Sequence, residues 1–591
     1  MRQRFLNMLA LVGFFSFVGC AAEDVLSDGP SGDDDLITFS AVQEGAATKA
    51  EISPSDSKVI NWSSGDAITV YDGDGNSVRF GLTNGAGSTM ASFSGKITQT
   101  AESYLALSPY QGGTFAEDGK IEFVEMKAKQ MAVAGSFDPE AALMVSRTEP
   151  GGTSMSFRNV VGYVKVTPQF DCDMISLISE DSSDLLAGTV SIDYNNGEPV
   201  VTVSDDGTNS VSISGDIVAG KTYYIAVLPG TLKSGFRLVF FAKDGKDAVK
   251  STSKSLEVKR NTVINFGSVN STALAQIPYV TFTADAEQIF KMSLGDGITS
   301  LQYSVNNAPW QDIVSNKEIV FGGSDGSLRL RGMSALGTAT GVSKYSMISF
   351  VNEVDVDCSG DIRTLVDYRS YDKAKTDQAR FSSLFKDCKN LTSAPELPAK
   401  TLAKCCYMSM FSNCIGLTSA PELPAMNLAD SCYMAMFSGC IGLTEIPKLP
   451  AKQLVWYSYA EMFSGCKGLT SAYFMAGGAP RSCFCMFSGC TSLTIAYGLA
   501  SVSAACCELM YAGCVNVRQA YLPASRVYQQ GYRGMFSGCR NLEYVSVLAE
   551  ESTDPSAFYG WLEGCAAKGI IRKRSSLTLP IPSGWSVENY D

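Results

Sequence analysis

The sequence predicts a multidomain protein in which tandem β-sandwiches and a small β domain precede a solenoid of repeated α/β units. Three observations lead to this fold class. The chain has 591 residues, which is more than one hydrophobic core organises. From about residue 37 to about residue 340, apolar and polar residues alternate between Gly-, Asn- and Asp-rich turns, as is typical of strands. From Cys388 to Cys565, a cysteine recurs every 24 to 26 residues, a period typical of stacked repeats.

The N-terminus carries the pattern of a secretion signal, which we assign to residues 1–19. Arg2 and Arg4 precede an apolar run that is too short to span a bilayer. The segment SFVGC at 16–20 resembles the lipobox of bacterial lipoproteins. This resemblance implies that Cys20 is the lipidation site and anchors the mature chain in the outer membrane. A plain cleaved signal with an incidental cysteine is the alternative.

Residues 20–36 are predicted to form an acidic tether. They include Glu23, Asp24 and the run GPSGDDD at 29–35, and they offer little apolar surface to bury. Acidic residues directly after a lipid-bearing cysteine also resemble the signal that exports Bacteroidetes lipoproteins to the cell surface. A solvated linker without sorting content is the alternative, which leaves open a periplasmic location.

Two β-sandwiches are predicted over residues 37–150 and 151–270. In the first, alternating segments flank the turn DGDGNS at 72–77, and in the second, apolar runs such as 160–166 suit central strands. The two units together resemble the fimbrillin-like proteins of Bacteroidetes. The resemblance rests on WSSGDAITV at 62–70, GSTMASFSG at 87–95, YYIAVLPG at 223–230 and RNTVINFG at 260–267. Some members of that family polymerise into pili, so the resemblance makes pilus subunits candidate partners.

A small β domain is predicted over residues 279–345, because segments such as 301–305 and 328–331 alternate with turn residues. Residues 346–380 follow as the N-terminal cap of the solenoid. We expect these regions to cover the first repeat, since an uncapped stack would expose apolar area.

Residues 381–591 are predicted to form the solenoid and its C-terminal cap. Each of eight repeats closes with an aromatic-x-x-Cys element, except that Leu562 replaces the aromatic residue in the last copy. In Cys406, Met410 and Cys414 the apolar residues step by four, which predicts a short helix. Prolines in the following segment predict an extended piece. Each repeat is therefore predicted as an extended rung, a turn and a helix of two or three turns.

The segment MFSNCIGLTSAPELPA at 410–425 resembles the leucine-rich repeat variant of surface proteins from Bacteroides-type bacteria, relatives of the BspA-type repeats. The resemblance implies an α/β leucine-rich-repeat solenoid in a cell-surface protein of adhesive type. The match weakens from the fourth repeat onward, where Tyr473, Tyr497 and Tyr521 replace the first proline.

The closing cysteines occupy one repeating position, and they are Cys388, Cys414, Cys440, Cys466, Cys490, Cys514, Cys539 and Cys565. If repeats stack at the strand spacing of about 4.8 Å, these thiols lie close together without having to bond. We predict a buried ladder of small apolar thiols that forms the structural core. Disulfides are the alternative in an exported protein. In the adjacent pairs at 405–406 and 506–507, one cysteine should face outward or sideways.

Composition excludes several classes of function. The net charge is -13 and no basic run lies beyond the first residues, which argues against nucleic acid as a partner. The chain contains no histidine, which removes the Ser-His-Asp and Cys-His nucleophiles and His-ligated metal sites. No pair of carboxylates stands out as a general acid and base, so we predict no enzyme and no cofactor.

Two patterns imitate metal sites. Asp72, Asp74 and Asn76 match the start of a calcium loop, but Thr83 stands where the closing Glu is needed and strands flank the segment. Cys483 and Cys485 lack zinc spacing. We predict a plain turn at the first and no metal at either.

The exposed side of the extended rungs is the candidate binding face, with Tyr473, Tyr497, Tyr521, Glu396 and Glu422. Aligned tyrosines suit contact with a protein or glycan on another surface, whereas aromatics half-packed between rungs are the alternative. We therefore expect an adhesin-like protein that binds host, partner-cell or matrix macromolecules through its repeats. An accessory or tip subunit of a pilus-like fibre and a glycan-capturing surface protein are the alternative functions.

Overall fold

The computed structural model describes residues 36–44, 61–473 and 476–590. The predicted signal, Cys20 and all but the last residue of the tether lie outside the described residues. The prediction of β structure is confirmed, because the described chain consists of strands, turns and six short 3-10 helices, with no α-helix. The 3-10 helices are Pro139–Ala141, Ser271–Ala273, Gly323–Asp325, Ile362–Leu365, Tyr371–Lys373 and Pro555–Phe558. No helix in the described ranges has the length and apolar character needed to cross a membrane.

The described residues of the first two units form twenty-two strands. They are β1 Leu36–Gln43, β2 Ala67–Tyr71, β3 Ser77–Asn84, β4 Met90–Lys96, β5 Leu105–Ser108, β6 Phe115–Glu117, β7 Lys120–Met126, β8 Lys129–Met131, β9 Met144–Arg147, β10 Ser154–Asn159 and β11 Gly162–Pro168. The remainder are β12 Cys172–Ser179, β13 Gly188–Asp193, β14 Val200–Val203, β15 Ser210–Ile217, β16 Tyr223–Val227, β17 Gly230–Leu232, β18 Phe236–Ala242, β19 Ala248–Thr252, β20 Leu256–Val258, β21 Val263–Val269 and β22 Ala275–Gln276.

The first unit is a closed barrel with the strand order β1-β10-β9-β5-β2-β3-β4. Its core is aromatic, since the Trp62 ring meets the rings of Phe93 and Phe157 edge-on at centroid distances of 4.9 and 5.6 Å. The second unit is built from a six-stranded sheet, β22-β19-β18-β12-β15-β8, a three-stranded sheet, β16-β11-β21, and a four-stranded sheet, β14-β13-β7-β6. A two-stranded sheet pairs β17 with β20.

Strand pairing contradicts the predicted division at residue 150. β7 pairs with β13 and β8 pairs with β15, so residues 120–131 belong to sheets of the second unit. β10 lies beyond residue 150 but pairs with β1 and β9 in the barrel. Local sequence patterns identify strands but not their partners, because pairing depends on which edges meet in space.

The third unit contains β23 Val280–Thr283, β24 Gln288–Ser293, β25 Leu301–Val305, β26 Gln311–Asp312, β27 Ile319–Phe321, β28 Leu328–Gly332, β29 Ala339–Gly341, β30 Lys344–Tyr345, β31 Met347–Phe350 and β32 Asp357–Ser359. Its sheets are β26-β25-β28-β23-β32, β27-β24-β31 and β29-β30. The predicted end at residue 345 is wrong, since β31 and β32 complete these sheets. The unit shares one core with the repeats, where the Phe282 and Phe385 ring centroids lie 6.2 Å apart.

The repeats stack, but the predicted helix is wrong. In the second repeat, Met410 N–H donates to the Tyr407 carbonyl and Cys414 N–H donates to the Phe411 carbonyl, as in successive turns. The intervening N–H groups donate to the next repeat, as Phe411 does to the Met436 carbonyl at 2.9 Å. An α-helix would instead bind each N–H to the carbonyl four residues earlier. The segment is therefore a run of turns whose hydrogen bonds are shared between neighbouring repeats.

A fourfold backbone repeat explains why the sequence suggested a helix. Cys405, Ser409 and Asn413 have φ of 56°, 53° and 61°, so every fourth residue takes the left-handed conformation. Side chains four apart therefore point the same way. In an α-helix a step of four residues rotates the side chain by about 40°, so an unbroken step of four drifts off one face. The strict step of four was the available signal against a helix.

The last repeats add a parallel sheet in the order β33-β34-β36-β38-β39. The strands of this region are β33 Ile495–Tyr497, β34 Gln519–Leu522, β35 Arg526–Val527, β36 Tyr544–Val547, β37 Glu551–Ser552, β38 Gly569–Lys573 and β39 Trp585–Asn589. In the first three repeats the proline-containing pieces are irregular, and that of the first repeat forms isolated bridges such as the one between Asp361 and Glu396. Proline lacks the N–H that a sheet ladder requires.

An interface of buried charges and aromatic rings joins the second unit to the third unit and its cap. The Arg331 guanidinium carbon of the third unit lies 5.6 Å from the ring centroid of Phe241 in the second unit and 4.3 Å from that of Tyr368 in the cap. Arg237 is 1% exposed and bridges Glu180 at 2.8 Å and Asp372 at 2.7 Å. These contacts hold the stack on the second unit.

Candidate binding face of the repeat stack

The turn segments form a scaffold of stacked rings. In the first seven repeats, the aromatic residue three positions before the closing cysteine packs on its equivalent in the neighbouring repeat, with centroid distances from 5.2 Å at Phe385–Phe411 to 5.9 Å at Tyr511–Phe536. The interplanar angles along this column are 4° to 13°. A second column stacks Tyr407 on Tyr433 at 5.8 Å. The regular ring spacing keeps the repeats in register.

The structure places the predicted cysteine ladder beside the ring column. Each closing thiol from the second repeat onward donates to a carbonyl of the preceding repeat, as Cys440 Sγ does to the Phe411 carbonyl at 3.0 Å. All described cysteines are free thiols, and Cys565 in the last repeat is the half-buried member of the ladder. Burial raises the pKa of the Cys440 thiol to about 12. These thiols are therefore neutral hydrogen-bond donors at neutral pH.

The adjacent cysteine pairs differ from the expectation. Cys405 and Cys406 are both buried, and so are Cys506 and Cys507. Repeated turns allow this, because successive side chains leave a turn in directions other than the two opposite faces of a strand. Cys506 and Cys507 lie with their sulfurs 3.9 Å apart as free thiols.

Tyr473, Tyr497 and Tyr521 form a continuous row, which we call the tyrosine row, and in it Tyr473 and Tyr521 are exposed while Tyr497 is half-buried. β33 and β34 pair in parallel with Tyr497 directly beside Tyr521. The alternation of a strand then buries Ala496 and Ala520 and turns the tyrosines outward. Tyr473 is 61% exposed and Tyr521 38% exposed. Parallel pairing thus aligns Tyr497 with Tyr521, and a ring contact with Tyr497 adds Tyr473 to the same surface.

The ring geometry limits what the tyrosine row can contact. The Tyr497 and Tyr521 rings stack with their centroids 5.8 Å apart and their planes 21° apart, so each covers a face of the other. Tyr473 meets Tyr497 edge-on, with centroids 5.1 Å apart and planes at 83°. The Tyr521 hydroxyl lies 3.0 Å from the Gln519 Oε1. The row therefore presents ring edges and hydroxyl groups, with Tyr473 as its most exposed ring.

The predicted acidic members of the face lie elsewhere in the stack. Glu396 and Glu422 are both exposed, but they follow the first and second repeats, and Lys448 of the third repeat lies between them and Tyr473. Within the described ranges no contact joins either carboxylate to the tyrosine row. The tyrosines also replace the proline that precedes each glutamate, so the two sets occupy different positions of the repeat.

Sequence reasoning missed two aromatic side chains, one half-buried and one exposed. The half-buried Tyr544 ring lies 6.0 Å from the Tyr521 ring and extends the row, although its place in the repeat differs. Trp456 is 55% exposed on the turn side of the stack and packs on Tyr457 at 6.0 Å. A tryptophan at the position held by Lys404 and Asp430 in earlier repeats was the available signal.

The segment that imitates a calcium loop is held by its own hydrogen bonds. One carboxylate oxygen of Asp72, Oδ1, accepts the N–H groups of Asp74 at 3.0 Å and Asn76 at 2.9 Å. This is the Asx-turn arrangement that aspartate favours between strands. No group of three or more Cys, Asp or Glu side chains placed to hold a metal occurs within the described ranges.

Comparison with known proteins assigns no family. No family matches the sequence, and no curated protein does. Among solved structures, a candidate cell adhesion protein from Bacteroides uniformis is 15% identical over 41% of this chain and 96% of its own, with a TM-score of 0.27. A fimbrial protein from Bacteroides ovatus is 14% identical over 42% of this chain and 52% of its own, with a TM-score of 0.19. A leucine-rich repeat protein from the same species is 17% identical over 36% of this chain and 73% of its own, with a TM-score of 0.16. TM-scores this low establish no common fold over the whole chain, and the BspA-type relation stays a prediction.

Proposed function

We propose that this chain is a cell-surface binding protein that attaches to a protein on another cell or in a matrix. It makes the contact through the tyrosine row and performs no catalysis. The observation that supports this proposal is the row itself, in which parallel strands align Tyr497 with Tyr521 and a ring contact adds Tyr473. Tyrosine is enriched among the residues that contribute most to protein interfaces, because it combines apolar area with a hydroxyl group.

The geometry favours a protein over a glycan at this surface. Sugars stack on free aromatic faces, whereas Tyr497 and Tyr521 cover one another and expose edges and hydroxyl groups. A protein partner can hydrogen-bond to these hydroxyl groups and pack on the edges at the same time. The neighbouring Tyr544 and the buried sheet beneath hold the row rigid, which reduces the conformational entropy that binding would cost.

The proposed location rests on the sequence. A lipid on Cys20 would hold the chain at the outer membrane, and residues 20–36 would serve as the tether. The sandwiches would then act as a stalk that raises the repeats above the membrane. Metabolic labelling with a fatty-acid analogue tests this part separately, because the wild-type chain should be labelled and Cys20→Ala should not.

The binding proposal is tested with the full-length chain and an array of immobilised matrix proteins, serum proteins and polysaccharides. A protein hit should weaken at least tenfold when Tyr473, Tyr497 and Tyr521 are all replaced by Ala, as truncation of a central tyrosine typically costs about 2 kcal/mol. Tyr528→Ala is the matched control, since Tyr528 is 42% exposed outside the row. Unchanged protein binding by the triple variant would refute the proposal. Binding to polysaccharides alone would also refute it. So would self-assembly of the chain into high-mass ladders with no binding to a second protein.

A further inference from the structure

A cleft of about 580 Å³ lies between the barrel and the second unit, far from the repeats in sequence. Gln43, Trp62, Arg79 and Tyr110 line its barrel side, and Lys127 and Glu140 lie on the opposite side. This volume is within the range of roughly 300 to 1,000 Å³ that holds small ligands in proteins.

Two buried polar atoms at the cleft have no partner among the described residues. They are the donor Nε1 of Trp62, which is 2% exposed, and the acceptor Oε1 of Gln43, which is 8% exposed. Gln43 pairs with Phe157 in the barrel register, and the Trp62 ring packs on the same Phe157. Both residues therefore neighbour one core residue and line the same cleft. A buried donor and a buried acceptor are costly to leave unpaired, so their presence at a cleft indicates a ligand that supplies both kinds of partner.

The remaining lining indicates an uncharged ligand. Lys127 and Glu140 form an ion pair on one side of the cleft, and the carboxylate oxygen Oδ2 of Asp66 accepts the Ser63 N–H at 2.7 Å. The Arg79 guanidinium lies 5.7 Å from the centroid of Tyr110, whose ring is partly exposed. The cleft thus combines an aromatic ring, hydroxyl and amide groups, one ion pair and charges of both signs, so no single sign of charge dominates its lining. Hydroxyl groups both donate and accept, which matches these requirements.

An extended peptide does not fit the same cleft. The barrel is closed, so its strands offer no free edge. On the other side, the main chain of β7 at Glu125 is already capped by the Gln111 side chain, which accepts its N–H at 2.8 Å and donates to its carbonyl at 2.9 Å. A peptide that binds by strand addition needs the backbone groups that Gln111 occupies.

We propose that this cleft binds a neutral sugar, with one to two saccharide units stacked against Tyr110 and hydroxyl groups bound by Trp62 Nε1 and Gln43 Oε1. This site is separate from the tyrosine row and does not rest on the function proposed for it. It would give the stalk its own ligand.

The test is calorimetric titration of the full-length chain with glucose, galactose, mannose, N-acetylglucosamine and their disaccharides, beside glucuronic acid. At least one neutral sugar should bind, and glucuronic acid should bind at least tenfold more weakly, because the carboxylates of Asp66 and Glu125 line the cleft and would repel its carboxylate. Tyr110→Ala and Gln43→Leu should each weaken binding at least tenfold while a thermal melt shows that the chain remains folded. Tyr559→Ala, which removes a tyrosine that is 66% exposed in the last repeat, should leave binding unchanged.

Failure of every neutral sugar to bind would overturn the proposal. Equal binding by the wild-type chain and by both cleft variants would also overturn it. Loss of protein attachment in the tyrosine-row variants would not change the sugar titration, so the two proposals fail independently.

Discussion

The first two units and the repeat stack pair their backbone N–H and C=O groups in different ways. In the barrel, β1 at residues 36–43 pairs with β10 at 154–159, so the bonding partners are more than a hundred residues apart. In the stack, Phe411 donates to Met436 and Phe437 donates to Met462, so each partner lies 25 residues further on. A stack of this kind depends on nearest neighbours, whereas a barrel requires closure of the whole sheet. The difference predicts different responses to the same perturbation.

The largest difference is expected at alkaline pH. Burial raises the pKa of the Cys432 and Cys440 thiols to about 12, so the unfolded chain loses these protons first. The free energy of unfolding should therefore fall as pH rises above about 8.5, by as much as about 1.4 kcal/mol per pH unit for each buried thiol. Sixteen described cysteines lie from Cys358 onward, whereas Cys172 is alone in the sandwiches. In iodoacetamide labelling at increasing pH, the repeat cysteines should become modified at a lower pH than Cys172. Modification of all of them at the same pH would contradict the predicted difference in stability between the two regions.

Removal of one buried ring should destabilise a longer part of the chain in the repeat stack than in the barrel. Phe437→Ala removes a fully buried ring from the middle of the column and should cost about 3 to 5 kcal/mol. Phe93→Ala should cost a similar amount in the barrel. Calorimetry should show that Phe437→Ala lowers the transition of the repeats and the third unit together, because they share one core. Phe93→Ala should lower the unfolding temperature of the barrel alone.

The buried ion pair at the interface tests how strongly the two regions are coupled. Arg237→Met leaves Glu180 buried with only Lys373 as a partner and should cost about 3 kcal/mol. It should also separate the unfolding transition of the second unit from that of the stack. Lys243→Met is the control, because Lys243 pairs with Asp216 at an exposed site where such pairs contribute little. A single unchanged transition in Arg237→Met would show that the aromatic contacts of Arg331 suffice.

The smallest effect should come from the left-handed positions of the turns. Gly489 has φ of 73°, where a Cβ is disfavoured, so Gly489→Ala should destabilise the stack by about 1 kcal/mol. Ala435 holds a comparable conformation with φ of 53°, so Ala435→Gly should stabilise it by up to about 1 kcal/mol. Denaturant midpoints for the two variants should move in opposite directions. Shifts of the same sign would contradict the assigned turn geometry.

Residue patterns predicted part of this architecture and missed part of it for identifiable reasons. The recurrence of Phe411, Phe437 and Phe463 defined the repeat, because a residue that contacts its own equivalent must recur at the same position. The exchange of residues 120–131 into the second unit was not predicted, since strand pairing is not encoded in local alternation. Tyr544 was missed because it occupies the position of Gln519 and not that of Tyr521 in the repeat, so only the contact between the Tyr544 and Tyr521 rings adds it to the row.

The sequence alone determined where the repeats begin and end, which positions carry rings and thiols, and which tyrosines replace prolines on the exposed rungs. These features follow from residue identity at a fixed period. Tertiary structure alone decided that the segment before each closing cysteine is a run of turns, because every second N–H binds a carbonyl that only the stacked neighbour supplies. It also decided that Gln43 and Trp62 meet at one cleft, because closure of the barrel brings β1 and the loop before β2 onto the same Phe157.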